Sequence, residues 1–158
     1  MTLSSTTSRK LGFSSLFAVS VVLCSPLQLS AATPFAEARV KIADKLIKVE
    51  VAETADQRNE GLSRRSASSK KYFMLFIFDT PQRVSFWMKD TNRDLSIAFI
   101  DENKVIVQIE SLKARSLKTV KSRSEQIKYA LEVPRGYFGK SNIKIGNKLE
   151  LVDYVELS

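Results

Sequence analysis

The sequence predicts a mainly β, single-domain protein: a compact sandwich or barrel-like sheet of seven to nine short strands with one or two short capping helices. Three observations carry that prediction. Apolar and polar residues alternate with period two in most segments. Turn signals recur between those segments, and only one stretch opens with a helix-capping pattern.

The elements follow in order. Val40-Lys41-Ile42 and Val49-Glu50-Val51 alternate across a turn at Ala43-Asp44-Lys45. Thr54 opens the run TADQRNEGL with Gln57 three residues later, the spacing of a capping box, in which each residue satisfies the other's free backbone donor. Gly61 supplies the stop after about two turns. Phe73 to Phe78 and Val84 to Met88 read as strands. Ile97 to Ile100 and Val105 to Ile109 flank a tight turn at Asp101-Glu102-Asn103-Lys104, where Asn103 suits positive φ. Tyr129 to Val133 is another strand, and Gly136 to Ser141 a second turn of helix. Ile143-Lys144-Ile145 and Leu149-Glu150-Leu151 flank Gly146-Asn147, the strongest turn signal in the chain.

The N-terminus reads as a signal peptide. Arg9 and Lys10 precede an apolar run from Leu11 to Leu23, and Ser30-Ala31-Ala32 forms a cleavage region. Cys24 follows Leu23, a poor fit to lipoprotein processing. The expectation is a periplasmic or secreted protein cleaved near Ala32, with an uncleaved membrane anchor as the lesser alternative and no transmembrane span in the mature chain. Residues 33–158 then form one domain without cysteine, held by packing alone.

Composition narrows the chemistry. The chain has no histidine, so His-containing zinc sets, Cys-His pairs and Ser-His-Asp triads are unavailable, and neither a metal nor a cofactor is expected. Any catalysis would rest on carboxylates, lysine, tyrosine or a serine-lysine pair. The net charge is +8, and the excess is clustered. Leu112 to Lys128 carries Lys113, Arg115, Lys118, Lys121, Arg123 and Lys128 against Glu125 alone. Gly61 to Lys71 adds Arg64, Arg65, Lys70 and Lys71 without an acid. For an exported protein the fitting partners are an anionic envelope polymer, a lipid headgroup or a glycan rather than nucleic acid. Solvated loops kept soluble by charge are the plainer reading.

From Val49 to Lys148 the chain resembles the bacterial and archaeal family known as domain of unknown function 192. The resemblance is carried by Arg58, Gly61-Leu62 and Arg64, by Met74-Leu75-Phe76 with Phe78, and by Phe86-Trp87-Met88-Lys89 with Thr91. It continues through Ile97 to Asp101 and Leu131-Glu132-Val133-Pro134 with Gly136. It implies a small, mainly β domain, often found behind a signal peptide and without known activity. The family's usual isoleucine-proline-leucine-aspartate is here Arg93-Asp94-Leu95-Ser96, so the aspartate is replaced by Ser96. Asp90 stands for the usual asparagine, Asn147 for the aspartate after Gly146, and Ser63 for a common methionine. If the missing aspartate carries family chemistry, that chemistry is lost or altered here, unless Asp90 or Asp94 compensates.

Alternation sorts Val84, Phe86 and Met88 onto a core face and Ser85, Trp87 and Lys89 onto the other. The second set, with Asp90 at its end, suits a sugar or another flat polar ligand that stacks on Trp87. The alternative puts Trp87 in a second apolar layer with Lys89 snorkelling past it. Glu132 interrupts an apolar strand; facing inward it needs a partner such as Arg58, Arg64 or Lys89. Alternatively Glu132 is one of two acids, with Asp90 or Asp101, able to hydrolyse glycosides without histidine. Arg64 and Arg65 could clamp a carboxylate or phosphate, or Arg64 could pair internally while Arg65 faces water. Met74 and Met88 fit core packing better than a soft-metal site. Gly136-Tyr137-Phe138-Gly139 is a turn with aromatic packing rather than a phosphate loop.

The first functional expectation is therefore a non-enzymatic binding or accessory module of the cell envelope, using Trp87, Lys89, Asp90 and Arg64 as ligand-binding residues. Lys113, Arg115, Lys118, Lys121 and Arg123 would meet the anionic partner. The alternatives are a carboxylate-based hydrolase acting on cell-wall or other carbohydrate, and a protein-interaction module of the envelope.

Overall fold

The computed structural model describes residues 34–66 and 68–155. The expected signal peptide and its cleavage region lie outside the described residues. No described helix is long and apolar enough to cross a membrane.

Strands β1 (Ala36–Ile42) and β2 (Lys45–Ala52) form the first hairpin, followed by helix α1 (Ala55–Glu60) and strand β3 (Met74–Gln82). The short β4 (Ser85–Phe86) leads to β5 (Leu95–Asp101), β6 (Ile106–Leu112) and the short β7 (Val120–Lys121). Then come β8 (Ile127–Pro134), α2 (Tyr137–Lys140) and β9 (Leu149–Val155). Seven strands form one sheet in the order β6-β5-β8-β3-β2-β1-β9, and β4 pairs with β7 beside it. Only β2 and β3 run parallel, because α1 and the loop after it carry the chain back across the sheet.

The two ends of the sheet meet. Val105 bridges Lys148, Ile106 N donates to the Asn147 carbonyl at 2.9 Å, and Gly146 N donates to that of Ile106 at 2.8 Å. Leu149 N donates to the Lys104 carbonyl at 2.8 Å. This closure makes the sheet barrel-like, and it occupies the exposed edges at that end. Every strand of the sheet sends side chains into the enclosed core, among them Val40, Val49, Leu75, Ile100, Ile106, Leu131 and Leu149, with Phe138 of α2 joining them. Alternation places a second cluster on the outer face of β3, β5 and β8, where Met74, Phe76, Ile97, Phe99 and Ala130 lie under Leu62, Val84 and Met88.

Local signals placed the caps. Gln57 N donates to Thr54 Oγ1 at 3.2 Å, and Gln57 Oε1 accepts from Thr54 N at 3.1 Å, so the capping box forms. Gly61 ends the helix at φ 50°, with the Phe76 ring 3.5 Å from where a Cβ would stand. Three expectations are corrected. Ile143-Lys144-Ile145 is not a strand: Ile143 is drawn under α2 by a 2.8 Å hydrogen bond to the Phe138 carbonyl, and Ile145 is left exposed. Positive φ falls on Lys104, not Asn103, because the Asp101 carboxylate accepts from Val105 N and sets the turn. Of Val84 to Met88, only Ser85 and Phe86 are paired as a strand, since Asp90 reverses the chain at φ 59°.

The basic stretch is held rather than structureless. Ser85 pairs with Lys121 and Phe86 with Val120. The buried Gln108 amide donates to the Lys121 carbonyl at 3.2 Å and accepts from Arg123 N at 2.8 Å.

Candidate ligand-binding cleft

A cleft of about 430 Å³ opens on the outer face of the sheet. Its floor is Glu132 of β8, whose register partners are Met74 on β3 and Ile97 on β5. Glu132 shares a face with Ala130, two residues earlier, so it projects from the middle of the sheet into the outer apolar cluster. One wall is the C-terminal part of α1 with Gly61, Leu62 and Ser63; the opposite wall is the segment from Gln82 to Trp87 with Lys89 and Thr91.

Packing fixes these walls. Phe86 sets its ring edge-on to Phe76 at 4.9 Å, to Phe99 at 6.0 Å and to Phe78 at 6.5 Å. Arg58 lines the cleft but is committed to the fold. It donates to the Ile77 carbonyl at 2.9 Å and to that of Glu53, and it lies 5.5 Å over the Phe78 ring. Met88 is buried, whereas Trp87 is 55% exposed. The Lys89 ammonium sits 5.6 Å from the centre of the Trp87 ring. Trp87 therefore does not fill a second apolar layer.

Glu132 is 4% exposed, yet no hydrogen bond or ion pair joins its carboxyl to another described residue. Every fully enclosed side-chain oxygen or nitrogen among the described residues has a partner, so the Glu132 carboxyl keeps contact with the cleft. Burial pushes its pKa up to about 8, against a weaker opposing pull from Arg65. At neutral pH the group is mainly the neutral acid, which can donate one hydrogen bond and accept others. None of the expected partners, Arg58, Arg64 or Lys89, bonds to it. Arg65 is occupied by an ion pair with Glu50 and a 2.9 Å bond to the Lys71 carbonyl.

The other sequence candidates separate. Arg64 is exposed at φ 56° and holds Asp90 only through its backbone, N to carbonyl at 2.8 Å. Arg64 and Arg65 thus exchange the roles expected of them: the second pairs internally and the first faces water. Neither Asp90 nor Asp101 lines the cleft with Glu132. Asp101 is spent on its own turn at the end of β5, where it accepts from Val105 N at 2.8 Å. The acid that shares the cleft with Glu132 is Glu60 of α1. Lys113, Arg115, Lys118 and Lys121 are exposed along the loop between β6 and β8, while Arg123 is engaged by Glu110 at 2.8 Å. Ser96 faces the enclosed core rather than the cleft, and its hydroxyl accepts from Gly136 N at 3.2 Å. Replacing the family's aspartate there leaves the cleft lining untouched. Asp94 is held by Ala114 N and Arg135, both at 2.8 Å, which keep its carboxyl below the usual range.

Sequence reasoning missed Glu60, Asn59 and Thr91 as lining residues. Thr91 is buried with its hydroxyl bonded to no described residue. Its place in the family-like run after Lys89 was the available signal. No group of three or more Asp or Glu gathers to hold a metal among the described residues.

The chain matches DUF192, described as an uncharacterized ACR, over residues 38–151. A crystal structure from Sinorhizobium meliloti 1021, of a protein for which a transcription-regulator role has been suggested, is similar at 30% identity and a TM-score of 0.70. That match covers 77% of this chain and 98% of the other. A protein of unknown function from Novosphingobium aromaticivorans shares the fold at 22% identity and a TM-score of 0.66, over 76% of this chain and 94% of its own. No curated protein matches. With nearly three-quarters of its length inside the match, the chain belongs to the DUF192 family.

Proposed function

We propose that this protein is a non-enzymatic binding domain of the cell envelope whose cleft takes a carbohydrate. Stacking on Trp87 and hydrogen bonds to Lys89 and to the neutral Glu132 carboxyl would hold the sugar. The observation that carries the reading is the Glu132 carboxyl, nearly buried, bonded to no other described residue and lining the same cleft as an exposed indole. A carboxyl that opens onto the cleft without a protein partner is free to bond a ligand hydroxyl there, a hydrogen bond worth about 1 kcal/mol. Export rests on the N-terminal sequence pattern.

The test is the fluorescence of Trp87, the only indole, during titration with envelope glycan fragments. A saturable shift that disappears in Lys89→Ala and weakens about tenfold or more in Glu132→Ala is expected. An indole that responds to no glycan defeats the reading.

One observation favours a second reading. An acid with a pKa near 8 is suited to donate a proton, and Glu60 supplies another carboxylate in the same cleft. A hydrolase would release reducing ends from a glycan and lose that activity in Glu132→Gln.

A further inference from the structure

We propose that the loop between β6 and β8 docks this protein on an anionic lipid surface, with Trp87 and Leu117 as the apolar inserts. Leu117 is 71% exposed, more than any other large hydrophobic residue among those described, and Trp87 is 55% exposed. The two stand on neighbouring segments. Met88 N donates to the Ser116 carbonyl at 3.0 Å, and Arg115 N donates to that of Thr91 at 3.0 Å. Arg115 Nε reaches Asn92 Oδ1 at 2.9 Å, and Ser85 pairs with Lys121. The loop is thus pinned along the Trp87 segment on both sides of Leu117, at Arg115-Ser116 and at Lys121.

Charge completes the surface. Lys89, Arg115, Lys118 and Lys121 are all exposed, and no acid occurs from Leu112 to Ser124. Arg123 is excluded because Glu110 neutralises it. Exposed lysines alone would suit any polyanion, but a soluble polymer gains nothing from a leucine held in water. A bilayer interface accepts both sets: the indole and the leucine enter the headgroup boundary while the ammonium groups stay with the phosphates. The short β4–β7 pair holds these groups in place beforehand, which reduces the ordering cost of binding.

This inference does not need the cleft to be occupied. Trp87 stands at the cleft rim, so docking would turn the cleft mouth toward the membrane, where envelope glycans and glycolipids are carried.

The experiment is co-sedimentation of the purified protein with vesicles of phosphatidylcholine containing phosphatidylglycerol, with Trp87 emission read in parallel. Binding to anionic vesicles, a blue shift, little binding to phosphatidylcholine alone and loss at high salt are expected. Leu117→Ser should lower the partition coefficient about tenfold. Lys118→Gln and Lys121→Gln should each lower it about fivefold. These positions are exposed, so the variants keep the fold, as unchanged thermal unfolding would verify. The proposal is overturned if anionic vesicles do not bind. It is also overturned if dextran sulfate or duplex DNA binds as tightly and Leu117→Ser changes nothing. A glycan titration that fails in solution, beside vesicle binding that succeeds, would sink the carbohydrate reading alone; the reverse result would sink only the docking surface.

Discussion

Leu131 and Glu132 are neighbours on β8, both nearly inaccessible to water, and they live in opposite worlds. Leu131 points into the closed sheet, where apolar side chains from all seven strands meet and the Ser96 hydroxyl is tied to Gly136 N at the margin. Glu132 points outward, into a layer made by a two-turn helix, a glycine turn and a pair of two-residue strands. The inner face is covered by the sheet's own curvature together with Phe138 of α2, so it is continuous and mainly apolar. The outer face is covered by short irregular pieces that leave a gap, and a carboxyl sits in that gap. Burial alone therefore does not distinguish a structural residue from a functional one; what covers it does.

The largest effect should come from moving the acid across the strand. Leu131→Glu would place a carboxyl where nothing can solvate it or bond to it. The expected cost exceeds about 4 kcal/mol, enough to leave most of the chain unfolded at room temperature. Circular dichroism and urea titration would read this directly. A cooperatively folded Leu131→Glu protein would show that the inner core is wetter than its packing implies.

Glu132→Gln sharpens the same contrast through pH. The folded acid titrates near 8 and the unfolded one near 4.5, so the folded state holds the extra proton between those values. Stability contributed by the neutral acid is fully present below pH 4.5 and is lost as the pH rises through 8. The loss is on the order of 5 kcal/mol once the pH is above 8. Glutamine has no proton to lose. Thermal unfolding should therefore find the variant close to the parent at pH 4.5 and clearly more stable at pH 9. Parallel pH profiles for the two proteins would mean that Glu132 reaches solvent freely.

How far the sequence discloses this arrangement depends on the range of the interactions. The capping box and the Gly61 stop are local, and Thr54, Gln57 and Gly61 are enough to place α1. The alternation of Val84, Phe86 and Met88 against Ser85, Trp87 and Lys89 is local too, and it sorts the core face from the rim. The sheet closure is not local, because it depends on Val105 meeting Lys148 across 43 positions of chain. The same closure converts the segment after α2 from an expected strand into a turn. The choice between Arg64 and Arg65 as the paired residue turns on the left-handed backbone at Arg64, a single dihedral that composition does not encode. Glu132 was recognisable as an anomaly in an apolar strand. Its lack of a hydrogen-bond partner among the described residues, the property that matters, becomes visible only when α1 and the segment from Gln82 to Thr91 are set around it.

The smallest effect tests whether the outer layer yields independently of the barrel. Thr54→Ala removes the hydroxyl that receives Gln57 N, and it should cost about 1 kcal/mol. Residues Ala55, Arg58, Asn59 and Glu60 of α1 line the cleft, so a frayed helix widens the mouth over Glu132 without disturbing Leu131. Hydrogen exchange should accelerate in α1 and at Gly61–Ser63 while β8 stays protected. Water admitted to the floor would then bring the Glu132 titration down toward its ordinary range. If exchange rises equally in β8, the covering layer and the barrel unfold as one unit, and the contrast between the two faces is one of lining and not of stability.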